Sequence, residues 1–433
     1  MNKNFLALGL AAALLAPQVA GAEGFAINEW SAEGVAMGGA RMFAEDDAAN
    51  VAYNPASITK VKGEAMKSSS TYLSPHGSYK ADINDYKDSD GNIVHPEPEY
   101  GHNKVHAGWA VGSYYVRQIN DKEWFGIGAF PRFAMVSEFE RGSKISSNAF
   151  FSKLNGVSVT PTYAHKFDKK WSAAVGAEIN YVGLELQKNV NLNLGPLGNV
   201  NGTTQIEGES YALGWNAAAN YTFDDKNEIG VVYRSRIKHS LEADLKGYGT
   251  KSPVVGGGDV FGNAYGVVTL PDSWDIGYNH KFDKKTRLEL KATRTNWSTY
   301  DALNVYFDRS LIGVEGYVDG SPSAKNWESG WRYAIGLEHN LSDKYAVMAG
   351  FAFDESSIPY EGGDFMVPTG LRRTYSIGAR YNDKKQTVAV ALGWMDVGTL
   401  DFAGHPEKGD AYSSAHAYDS FTKIASISYQ RKF

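Results

Sequence analysis

The chain has 433 residues, a formal net charge of −6 and no cysteine. The acidic balance argues against nucleic acid as a partner, and the lack of cysteine excludes a disulfide framework, a thiolate metal site and a cysteine nucleophile. Abundant glycine (46) and tyrosine (26), with 13% aromatics, fit a soluble two-domain protein or an outer-membrane barrel, whose alternating strands escape any hydropathy average.

In chain order, Lys3 precedes an Ala-Leu-rich stretch from Phe5 to Leu15, and Ala20-Gly21-Ala22 follows. This pattern predicts an export signal over residues 1–22, cleaved before Glu23; the apolar part is too short to span a bilayer. Gly24 to Ala56 does not alternate: it is rich in Gly and Ala, carries Asp46 and Asp47, and ends in Asn54-Pro55-Ala56. Residues 23–60 are therefore expected to plug a barrel formed by 61–433. Asn54 can bond its own backbone and Pro55 fixes φ, so this triplet suits the turn into the first strand.

Polar turns recur beyond the plug at Asn120-Asp121-Lys122, Asp168-Lys169-Lys170, Asp224-Asp225-Lys226, Asp283-Lys284-Lys285, Ser342-Asp343-Lys344 and Asn382-Asp383-Lys384. Short turns alternate with long excursions, as periplasmic turns do with outer loops. The flanks have period two: Trp171, Val175, Ile179 and Tyr181 point one way, while Ser172, Gly176, Glu178 and Asn180 point the other. Such runs reach ten residues or more, enough to cross a membrane at a tilt, with Tyr and Trp near their ends. They begin with Ala65 to Leu73 and end with Tyr418 to Phe433, about fourteen in all. The fold class is all-β: a closed antiparallel transmembrane barrel in the bacterial outer membrane, facing outer-membrane lipid. The terminal Phe433, in register with Tyr429 and Ile427, is the expected signal for the outer-membrane barrel-assembly machinery.

These features resemble the FadL family of outer-membrane transporters for long-chain fatty acids and other hydrophobic compounds. The most specific matches are Gly24-Phe25, Asn28-Glu29, Gly38-Gly39-Ala40, Asp46-Asp47-Ala48 and Asn54-Pro55-Ala56; others include Gly214-Trp215-Asn216-Ala217, Leu270-Pro271 with Trp274, and Asn296-Trp297-Ser298. The resemblance implies a fourteen-stranded barrel, an N-terminal hatch in its lumen and a kink in the third strand that opens the wall sideways. Uptake would be passive, from capture at outer loops through a lumenal pocket to lateral exit. Importers of aromatic hydrocarbons or alkanes are the alternative; a barrel phospholipase or a surface adhesin fits less well. No enzymatic motif is recognisable, and no cofactor is expected.

Three constellations carry this reading. Pro131, in Phe130-Pro131-Arg132-Phe133, breaks a strand that should be fully paired, and in lipid a break is tolerable only where it lines a cavity or is covered; the bland alternative is a rim bulge. Plug residues Asn28, Glu29, Asp46, Asp47, Asn54, Pro55 and Ala56 are expected to latch plug to wall. Arg234, Arg236 and Lys238 alternate with Tyr233, Ser235 and Ile237, so all three are expected in the lumen, either binding a ligand carboxylate or pairing with acids such as Asp46 and Asp47. Basic residues that the family uses near the carboxylate are replaced by Gly183 or Leu184 and by Asn304. Two patterns favour no metal: Asp88-Ser89-Asp90-Gly91-Asn92 reads as a loop turn with incomplete calcium spacing, and His102 and His106 on a strand lie about 13 Å apart.

Overall fold

The structure is a computed structural model that describes residues 24–88, 90–105, 107–193, 199–252, 256–300, 302–308, 317–319 and 323–433. The expected signal segment, Ser89, His106 and the Asn304 side chain lie outside the described residues.

Fourteen antiparallel strands close into a ring. They are β1 (Glu64–Ile83), β2 (Glu99–His102 and Gly108–Gln118), β3 (Glu123–Glu138), β4 (Phe151–Lys166), β5 (Trp171–Asn193), β6 (Asn199–Thr222) and β7 (Asn227–Arg234 and Ile237–Ser252). There follow β8 (Gly256–Leu270 and Ser273–Lys281), β9 (Thr286–Thr295 and Ala302–Asp308), β10 (Gly330–Asn340), β11 (Tyr345–Asp354), β12 (Arg372–Asn382), β13 (Gln386–Val397) and β14 (Tyr412–Lys432). The last strand closes on the first from Ala65↔Lys432 to Ile83↔Tyr412. The expected register is visible on the outside, where Trp171, Val175, Ile179, Tyr211, Leu213, Trp215, Tyr333, Ile335 and Leu337 are exposed. Glu178, Asn180, Asn216, Asn220, Arg332 and Glu338 turn inward and are buried. A soluble sandwich would invert this polarity.

The short turns all lie at one end. Asp168 Oδ1 accepts from Lys170 N at 2.7 Å and Trp171 N at 2.8 Å, and Asp224, Asp283 and Asp383 make the same pair of bonds. These N–H groups hold the Asp168, Asp283 and Asp383 carboxyls below their ordinary values. The long connections therefore share the opposite end, including the segments between β11 and β12 and between β13 and β14.

Residues 24–63 lie within the ring. Ser31 caps helix α1 (Ala32–Ala36) through Gly34 N at 3.1 Å, α2 follows at Asn50–Tyr53, and Asn54 caps the 3-10 turn Pro55–Lys60. The segment bonds to strands on every side: Ser428 of β14, Ser69 of β1, Asn220 of β6, Glu338 of β10 and Ser376 of β12. Close approach requires glycine in the wall. A Cβ at Gly350 would come within 2.2 Å of Gly38 N, and one at Gly230 within 3.0 Å of Asn54 Nδ2 and the Phe43 ring.

At the seam, Phe433 N donates to Glu64 O at 2.9 Å, and the Phe433 ring is exposed beneath the Arg431 guanidinium. Deleting Phe433 should reduce the folded, heat-modifiable barrel recovered from outer membranes; normal insertion would count against its role in assembly.

Candidate transport path

The β2–β3 ladder runs from Gln118↔Trp124 to Ser113↔Ala129 and stops. Above that point β2 continues on β1 and β3 continues on β4, with Arg132 as an extra residue between Pro131 and Phe133. The two strands next meet where Lys104 N donates to Glu138 O at 2.7 Å. Between these closures the wall has a window. Gly128 to Met135 are buried without alternation, because both sides of β3 are covered there. The free edge of β3 is taken by the start of the lumenal segment: Ala134 N donates to Phe25 O and Ile27 N to Arg132 O, both at 2.8 Å, and Trp30 Nε1 donates to Pro131 O at 2.6 Å. Phe130 packs on Trp30 with centroids 5.2 Å apart. Arg132 turns inward onto Glu178, with its NH1 2.8 Å from Oε2.

Deeper in the lumen the segment is tied by charge. Lys67 of β1 meets Glu33 at 2.8 Å and Asp47 at 2.9 Å, and Arg41 joins Asp47 at 3.1 Å to Glu338 at 2.9 Å. Burial by itself would raise the Asp47 carboxyl, but Lys67 and Arg41 hold it well below the usual carboxylate range. Asp46, at φ 54, pairs with Lys432 of β14. Asn54 Nδ2 donates to Asn220 Oδ1 at 2.7 Å while Asn54 Oδ1 accepts from Ala56 N at 3.1 Å, with Pro55 in the first helical position. Glu29 O accepts from Thr71 at 3.1 Å, and Asn28 O from Tyr53 at 3.3 Å.

The expected basic ladder is split. Arg234 is buried, pairs with Asp275 at 2.6 Å, donates to Ala52 O and faces the Trp30 ring. Arg236 and Lys238 instead point outward and are exposed, Arg236 lying 3.2 Å from Asp272. Strand β7 is interrupted at Ser235 and Arg236, which shifts the alternation by one and turns Ile237 and His239 inward. His239 Nε2 lies 2.9 Å from Asn180 Oδ1.

The outer half of the lumen is apolar, lined by Met135, Phe139, Leu154, Leu184, Leu241, Trp297, Trp327, Phe365 and Phe402 among others. Phe25 sits there among four aromatic rings, with centroids 4.7 Å from Trp297, 5.5 Å from Tyr300, 5.8 Å from Trp327 and 6.0 Å from Phe133. Gly24, at φ 64, has no room for a Cβ against Trp327 and Trp297, and its carbonyl accepts from Arg372 at 2.9 Å. Into this apolar region the structure brings Lys325, buried and ion-paired with Asp364. No motif pointed to Lys325: it lies outside the strand pattern, and the candidate cations read from the sequence, Arg234, Arg236 and Lys238, belong to β7 and its interruption. Among the described residues no cluster of metal-ligating groups occurs, and Asp88 Oδ1 is engaged by Asp90 N and Asn92 N as an ordinary turn.

The family described as "Outer membrane protein transport protein (OMPP1/FadL/TodX)" matches residues 13–430. The long-chain fatty acid transport protein of Escherichia coli K12 is 24% identical over 90% of this chain and 91% of its own length. Outer membrane protein P1 of Haemophilus influenzae is 23% identical over 88% and 86%. Among solved structures, a Pseudomonas aeruginosa FadL homologue superposes with a TM-score of 0.82 at 17% identity, covering 95% of this chain and 100% of that one. The Pseudomonas putida toluene transporter TodX gives 0.69 at 15% identity, covering 96% and 99%; both show the fold.

Replacing Lys67 with Met would leave Glu33 and Asp47 buried without their shared cation, a loss of about 3–5 kcal/mol. The expected outcome is a loosened lumenal segment, read as increased single-channel conductance in planar bilayers with the barrel still folded; unchanged conductance would exclude this anchor.

Proposed function

We propose a function from one premise: the chain belongs to the outer-membrane transport family that contains FadL and TodX, and is therefore a transporter of hydrophobic compounds. Its substrate is a long-chain amphiphile with a carboxylate head, fatty acids being the simplest case. The molecule enters passively from the outer loops, lodges in the apolar upper lumen with its head at Lys325, and leaves sideways between β2 and β3.

The observation that carries the lateral exit is the unpaired stretch between Ser113↔Ala129 and Lys104–Glu138. A missing ladder in lipid must be covered by protein or open onto a cavity, and its cover here is light. Phe25 to Ile27 hold the β3 edge by two backbone hydrogen bonds, each worth about 1 kcal/mol net when water from the lumen takes over the freed groups. Burial of the Phe25 ring adds about 2 kcal/mol. Each buried methylene of an incoming alkyl chain recovers about 0.8 kcal/mol, so a handful of methylenes offsets the loss when Phe25 leaves its cage. In this reading Asp46, Asp47 and Asn54 keep the rest of the plug in place, and only its beginning acts as the gate. Arg234, saturated by Asp275 and Ala52 O, braces the plug, and the ligand cation is Lys325.

A second reading, a neutral aromatic hydrocarbon, is favoured by the four rings around Phe25, which would accept a benzene ring equally well. Substituting Lys325→Gln separates the two. For a carboxylate substrate, uptake of labelled oleate should fall about ten-fold or more, the value of a charge-assisted hydrogen bond, while uptake of a neutral alkane or toluene is unchanged. Equal loss or no loss for both substrates would remove Lys325 from head-group recognition.

Exit through the wall is tested by removing Arg132 and replacing Pro131 with Val, which restores register on β4 and a donor for β2. Uptake should drop severely while the barrel still folds and inserts; full uptake by the closed wall would overturn lateral exit.

A further inference from the structure

The segment between β11 and β12, residues 355–371, does not project away from the barrel. Phe365 is fully buried within the upper lumen, with ring centroids 5.1 Å from Tyr79, 5.4 Å from Phe139, 5.0 Å from Phe402 and 5.4 Å from Tyr412. Met366 O accepts from Ser137 of β3 and Ser152 of β4, both at 3.0 Å, and Phe365 N donates to Asn148 at 3.2 Å. The remaining cavity beside this loop, lined by Tyr79, Met135, Phe139, Phe365, Val367 and Arg372 among others, is only about 80 Å³. Ligand pockets commonly occupy about 300–1,000 Å³, so the loop fills the space that a long chain would need.

One residue of this loop imitates the substrate chemically. The Asp364 carboxylate is buried and paired with Lys325, and its Oδ1 also accepts from Met366 N at 2.9 Å and Val367 N at 3.3 Å. An ion pair in so apolar a setting adds little net stability compared with an apolar pair, whereas either charge alone is heavily penalised. A carboxylate must therefore remain on Lys325, but it need not belong to Asp364. The loop is also joined to the segment that carries Lys325, where the Trp327 indole Nε1 donates to Gly362 O at 3.4 Å.

We propose that Asp364 is an internal surrogate for the substrate head group, and that a ligand carboxylate takes Lys325 by displacing Asp364 and withdrawing the 355–371 loop from the upper lumen. The inference rests on the carboxylate reading above. It makes Asp364 a specificity-determining residue: anionic amphiphiles compete for the latch, and neutral hydrocarbons do not. Coulomb attraction and apolar burial arrive in the same molecule, so head-group exchange and loop withdrawal are coupled.

The test uses the full-length protein purified in detergent, with oleate and oleyl alcohol as probes. In Asp364→Asn the Lys325 ammonium is buried without a charge partner, so the ligand-free variant should melt below wild type. Oleate should then bind about ten-fold or more tightly than to wild type and restore the melting temperature, while oleyl alcohol, which forms no ion pair with Lys325, gains clearly less and does not restore it. Asp364→Glu keeps a carboxylate on the loop and should bind oleate as wild type does. Should Asp364→Asn not fold, Asp364→Asn combined with Lys325→Gln buries neither charge, and it should fold and bind oleate no better than oleyl alcohol. Oleate affinity unchanged or weakened in Asp364→Asn, with the Lys325-dependent oleate preference intact in wild type, would overturn the surrogate alone. Loss of that preference's dependence on Lys325 would remove the carboxylate reading itself.

Discussion

In hydrocarbon a backbone N–H or C=O without a partner has no water to turn to, so a wall that crosses the membrane must close its ladder completely. Among the described residues the other seams obey this with short interruptions, and the seam between β2 and β3 does not. There the pairing ends at Ser113↔Ala129, Pro131 removes a donor, Arg132 adds a residue, and Trp30 and Phe25–Ile27 supply substitutes from inside. The lumenal segment is thus part of the solution to the wall's hydrogen bonding. It is held in the lumen because the wall is incomplete without it.

The same segment is held unequally along its length. From Arg41 to Lys60 it is bound by charged side chains buried on both sides of the interface, as in Arg41–Glu338, Lys67–Asp47 and Lys60–Glu228. Breaking such pairs one at a time leaves an uncompensated buried charge. From Gly24 to Ile27 the attachments are backbone hydrogen bonds, one of them from the Arg372 guanidinium, and aromatic contacts; no carboxylate or ammonium of the segment takes part. The attachments thus change in kind within a few dozen residues, from buried ion pairs to backbone and aromatic contacts.

Much of this was legible in the sequence, for a physical reason. Strand positions follow from period-two alternation, which the membrane enforces on one face and the packed lumen on the other, and the short turns repeat one hydrogen-bond scheme around Asp or Ser. β1 was read only to Leu73 because Pro75 and Gly77 interrupt the alternation; the structure carries it on to Ile83 across a register shift at His76 and Ser78. Arg236 and Lys238 were placed in the lumen because alternation was extended through Ser235 and Arg236, where β7 is interrupted. The partner of that interruption, Asp272, stands in the break of β8 between Leu270 and Ser273, so no local pattern could reveal it. The 355–371 loop was illegible for the same reason: Phe365, Asp364 and Met366 find their partners on β1, β3, β4 and the segment before β10.

The upper lumen contains two of the protein's own groups in positions that suit the two ends of an amphiphile. Phe25 places an apolar ring against Trp297, Tyr300 and Trp327, and Asp364 places a carboxylate on Lys325. They meet at a single short stretch, Lys325 to Trp327, reached by the plug from below and by the outer loop from above. A site left empty there would be an apolar cavity with a naked ammonium, unfavourable on both counts. Filling it with the Phe25 ring and the Asp364 carboxylate avoids both. On the proposed carboxylate reading, a molecule with only a tail would compete with Phe25, a small carboxylate would compete with Asp364, and an amphiphile long enough to do both would displace the two blocks in one binding event.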